Sequence, residues 1–120
     1  MGVSHLKPEF PALLGAGFHI RTLGEVRELC VRAFATSLSR RAIMDGIEQI
    51  IRKLNEFEVA GEMWLDGSFV TSKIDPDDVD SLLRVSSDIY EGDATKRTII
   101  DWATEPDRWN THSCDSYCTF

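Results

Sequence analysis

Asp78-Val79-Asp80 is the part of this sequence best equipped for chemistry, together with Trp64-Leu65-Asp66-Gly67-Ser68, which precedes it across nine residues of connector. Successive side chains of a strand alternate faces, so Asp78 and Asp80 point one way and Val79 the other. Two neighbouring carboxylates repel each other unless a positive charge sits between them. Gly67-Ser68 reads as a tight turn with exposed backbone N–H groups, which suits a phosphate. Carboxylates for a metal beside a cradle for phosphate form the arrangement that a nucleotide-handling site needs.

The other acids nearby have simpler readings. Asp75 and Asp77 flank Pro76 and, with Asp66, read as turn residues. A calcium loop counted from Asp75 would need glycine at its sixth position, which is Asp80, so that motif fails. A P-loop is excluded because Gly67-Ser68 is not followed by Gly-Lys-Ser/Thr, and no dinucleotide fingerprint is present.

The elements that must position these residues follow from spacing. Pro8, Pro11, Gly15 and Gly17 make residues 1–21 irregular, with isolated histidines at 5 and 19. Thr22 and Glu25 form a capping-box pattern that predicts a helix from Leu23 to about Ala35. A longer helix follows from about Arg40 to Phe57, with Ile43, Ile47, Ile50, Ile51, Leu54 and Phe57 on one face. Arg40, Arg41, Glu48, Arg52, Lys53 and Glu56 then read as its solvated surface. A helix-turn-helix role is disfavoured by the acidic balance. Glu62–Leu65 and Asp78–Val85 are strand candidates, the second with Val79, Leu83 and Val85 on one face and Leu82 on the other. Ser86–Asp93 reads as a loop, Thr95–Ala103 as a helix stopped at Glu105-Pro106-Asp107, and Thr111–Phe120 as a strand.

This order predicts a single domain of mixed α/β or α+β class, spanning residues 1–120, with a helical part at 22–60 and a sheet core at 61–120. The sheet is expected to have about three strands. The helix between the second and third strands permits a crossover.

Bulk properties limit the partners. The chain has 120 residues, enough for one domain with a real core. Its net charge of −7 disfavours non-specific binding to nucleic acid or anionic membrane. No apolar run approaches the roughly 20 residues of a membrane span, and no secretory signal is visible. Of the three cysteines, Cys114 and Cys118 would lie about 13 Å apart along one strand, too far for a disulfide. Packed, reduced thiols in a cytoplasmic protein are the expectation.

Gly67-Ser68 followed by Asp78-Val79-Asp80 resembles the signature of the polymerase-β-type nucleotidyltransferase superfamily. The longer run Trp64–Lys73, with Pro76 before the Asp-x-Asp, resembles a small uncharacterised bacterial family of that fold. The likeness extends back through Gly17-Phe18-His19 and the Thr22 capping box.

The resemblance implies a minimal nucleotidyltransferase fold and a third carboxylate on a later strand. Asp115 fits that position, with Asp101 as competitor inside a helix. It further implies that Asp78, Asp80 and Asp115 hold two magnesium ions, that Gly67 and Ser68 hold the β/γ-phosphates, and that Lys73 neutralises phosphate charge. The substrate would be a nucleoside triphosphate, first of all ATP, and the acceptor a protein or small-molecule hydroxyl. A partner protein or a second copy would complete the site, as in toxin–antitoxin pairs. The alternative is a non-catalytic module of the same fold that acts by protein contact, because fold alone does not guarantee chemistry.

Overall fold

Ile43, Ile47, Ile50 and Leu54 recur at helical spacing and are all buried on one face of the longest helix, α2 (Arg40–Glu56). The computed structural model describes Phe10 and residues 12–120, so residues 1–9 and Pro11, including His5 and Pro8, lie outside the described residues. From Ala12 to Arg21 the chain has no helix or strand, and the Leu13 N–H donates to the Val70 carbonyl at 3.0 Å.

Helix α1 (Leu23–Arg27) begins at the reciprocal cap of Thr22 and Glu25, in which each side chain accepts the other's backbone N–H. It continues into a π-turn at Glu28–Arg32, so the helical path ends before Ala35. Arg27 ties it to α2 through Asp45 and Glu48, at 2.9 and 3.1 Å.

The sheet is mixed and has three strands among the described residues, in the order β1-β2-β3: β1 (Glu62–Asp66), β2 (Val79–Arg84) and β3 (Cys114–Thr119). β1 runs antiparallel to the central β2, and β3 runs parallel to it. A parallel neighbour requires a crossover. Helices α3 (Ser87–Gly92), α4 (Ala94–Ala103) and α5 (Arg108–His112) supply it. The chain is therefore a small α+β domain.

Three expectations are corrected. Ser86–Asp93 is not a loop but contains α3, because its polar residues act as caps. The Ser86 hydroxyl accepts the Asp88 N–H, and the Asp93 carboxylate accepts the Lys96 N–H to start α4. Thr111 and His112 belong to the last turn of α5 rather than to a strand, and Ser113, in the left-handed region at φ 56°, turns the chain into β3. Arg40 is not on a solvated face. It is fully buried, and its guanidinium donates to the carbonyls of Cys30, Phe69, Thr71 and Lys73 with the Phe34 ring 3.7 Å away.

Strand alternation sorts the sheet into two faces. Val79, Ser81 and Leu83 of β2 and Cys114 and Ser116 of β3 are buried in the core with α2 and α4. The Ser81 and Ser116 hydroxyls meet there at 2.6 Å, one donating and the other accepting, so that neither is buried without a partner. The opposite face carries three transverse rows: Glu62, Arg84 and Thr119; then Trp64, Leu82 and Tyr117; then Asp66, Asp80 and Asp115.

Candidate metal centre

Register brings the acids together. Asp80 on the central strand stands directly between Asp66 of β1 and Asp115 of β3. Asp78 precedes β2 by one residue and joins the same face. Asp78, Asp80 and Asp115 each offer a ligand oxygen, and these atoms lie within 4.8 Å of one another. Asp101 is not in this group. It sits on α4 and accepts the Tyr90 hydroxyl at 2.7 Å.

The electrostatics are unbalanced. Among the described residues no lysine, arginine or histidine forms an ion pair with any of the three. Burial first, and then the charges of Asp78, Asp115 and Asp66, push the Asp80 carboxyl above its ordinary value. Asp66, read from the sequence as a turn residue, is thus part of the row that strains Asp80.

Two aromatic donors contact the cluster. The Trp109 indole N–H, from α5, donates to Asp78 Oδ2 at 2.8 Å. The Tyr117 hydroxyl, two residues along β3, reaches Asp115 Oδ2 at 3.3 Å. Neither contact was visible in the sequence, since Trp109 is remote from Asp78 and carries no motif. Beneath the cluster, burial and the nearby Asp78 push the Cys114 thiol up to about 12, leaving it a neutral packing group.

Gly67 lies against this site. Its φ is +85°, and a Cβ there would fall 2.6 Å from Asp80 Oδ2, so both the backbone angle and the close approach require glycine. Ser68 opens the short 3-10 turn Ser68–Val70 that follows. Lys73 is placed differently. Its carbonyl is held by Arg40, and its ammonium forms no ion pair with the carboxylates. Asp75 caps the chain before α2, accepting the Leu38 N–H at 2.6 Å and the Ser37 hydroxyl at 3.1 Å.

A family model described as a family of unknown function, DUF6932, matches residues 8–120. The chain belongs to the DUF6932 family. No curated protein and no solved structure matches it. In this DUF6932 chain the matched region contains every residue of the carboxylate cluster and the Gly67-Ser68 turn.

The donor set determines which ion suits the site. Three carboxylates supply oxygen only, with no histidine or cysteine in the cluster. Oxygen donors with a formal charge of this size suit hard divalent cations such as magnesium, manganese or calcium rather than zinc or copper. A cation between the three would also relieve the repulsion that raises Asp80.

Proposed function

We propose that the chain is a magnesium-dependent nucleotidyltransferase that moves a nucleoside monophosphate from a nucleoside triphosphate, first of all ATP, to a hydroxyl of a protein or small molecule. One observation carries the reading. Asp80 of β2, Asp115 of β3 and Asp78 just before β2 converge without an ion-pair partner among the described residues, and Gly67 lies against the central one.

Asp78, Asp80 and Asp115 would hold the metal, which would neutralise phosphate charge and polarise the acceptor hydroxyl. Gly67 and Ser68 would contact the β/γ-phosphates, glycine because its lack of a side chain lets them approach. The acceptor oxygen forms a bond to the α-phosphorus, the bond from that phosphorus to the β-bridging oxygen breaks, and pyrophosphate leaves. The acceptor proton passes to Asp115. Lys73 would neutralise phosphate charge from a loop whose backbone Arg40 holds in place.

The exposed Trp109 and Tyr117 beside the carboxylates, at 51% and 58%, favour a partner protein or acceptor that completes the site, as in a toxin–antitoxin pair. The experiment is transfer of α-labelled nucleotide to the chain itself, to co-purified partners and to lysate, with Asp78→Asn and Asp80→Asn as controls. Label that is metal-dependent and lost in both variants supports the reading. No metal-dependent transfer to any acceptor sinks it.

A further inference from the structure

Trp109 is an unusual neighbour for a carboxylate cluster. Half of its surface faces solvent, yet its one polar atom is committed to Asp78 Oδ2 at 2.8 Å across 31 residues of chain. The helix that carries it is firmly seated. Gly46 of α2 abuts α5 so closely that a Cβ there would lie 2.0 Å from the His112 carbonyl oxygen. On the same short helix Arg108 is buried with its guanidinium 4.8 Å from the Trp102 ring, and His112 meets that ring edge-on at 5.5 Å. Trp109 is therefore presented from a fixed platform.

We propose that Trp109 is a positioning residue for the metal centre, a reading that rests on the cation-binding assignment above. Asp78 lies outside β2, so the strand alone does not fix its carboxylate as it fixes Asp80 and Asp115. With the indole N–H on Oδ2, Asp78 would keep Oδ1 free to face a cation. A neutral donor is suited to this task. It orients the carboxylate without placing a competing positive charge in the site. Hydrogen bonds to ligating groups typically change metal affinity by about 10- to 100-fold.

The test is calorimetric titration of the full chain with manganese and with magnesium, comparing native protein with Trp109→Phe, which keeps an aromatic ring and removes the N–H. Cation affinity should fall about 10- to 100-fold while the metal-free melting temperature stays the same. Trp109→His, which retains a ring N–H, should recover part of the loss. A second measurement needs only the native chain. The indole N–H resonance of Trp109 should shift when magnesium is added, and that of Trp102 should not. Equal affinity in native protein and Trp109→Phe, or an unmoved Trp109 resonance in a chain that binds the cation, overturns the proposal while leaving the metal centre standing. A native chain that binds neither cation overturns both.

Discussion

Asp80 concentrates the electrostatic strain of the molecule in one side chain. Its carboxyl is raised in the folded state by burial and by the acids around it. A raised carboxylate favours the protonated folded form, so the contribution of Asp80 to the stability of the metal-free protein should fall as pH climbs from the ordinary aspartate value through the raised one. Asp80→Asn should remove that decline and leave the metal-free chain more stable at neutral pH, which denaturant titrations at several pH values would show. The same substitution should abolish stabilisation by magnesium. If native protein and variant share one pH profile, the repulsion is not felt. Arg40 is the opposite case, a buried cation whose guanidinium donates to four carbonyls and forms no direct ion pair among the described residues. Each buried carbonyl left without a donor costs about 1–3 kcal/mol. Arg40→Met should therefore lower unfolding free energy by roughly 3 kcal/mol or more, and Arg40→Lys should rescue little because an ammonium lacks the planar fork.

At the scale of elements, α2 positions both ends of the site. Its first residue, Arg40, fixes the loop after Gly67-Ser68, and Gly46 admits the end of α5, which carries Trp109. Glycine to alanine within a helix normally gains about 0.5–1 kcal/mol. Here the added carbon would collide with backbone, so Gly46→Ala should instead destabilise by about 1–3 kcal/mol, read from the denaturant midpoint. The main elements were legible in the sequence because each carries its own periodicity: isoleucines every three or four residues in α2, alternation in β2, a reciprocal cap at Thr22. The acids at 78 and 80 were legible for the same reason, being two apart at the start of a strand pattern, although β2 itself begins at Val79. What escaped were features that depend on contacts between distant segments. Arg40 has the residue type of a surface helix, and the carbonyls brought up by Cys30 and by residues 69–73 make its burial tolerable. Asp66 looked like a turn residue until register set it beside Asp80. α3 was hidden because Ser86 and Asp93, which cap helices, are equally at home in loops.

For the whole molecule, the decisive arrangement is a sheet that buries one face in the core with α2 and α4 and carries its carboxylates on the other, in a chain of net charge −7. A divalent cation bound only by the folded state should stabilise it by about 2.7 kcal/mol at 100 times its dissociation constant. The crossover between β2 and β3 determines how that gain divides between rates. Asp78 and Asp80 arrive together, but Asp115 joins them only after Val85–Ser113 has looped back to form the parallel pair. Such long-range pairings are slow to form because loop closure precedes their reward. A folding transition state that lacks β3 holds two of the three ligands and grips a cation weakly. Saturating magnesium should then leave the refolding rate nearly unchanged and slow unfolding about 100-fold, the whole of its equilibrium effect. In stopped-flow chevrons only the unfolding arm should move, and a bound cation would then act as a latch fastened after the fold has closed.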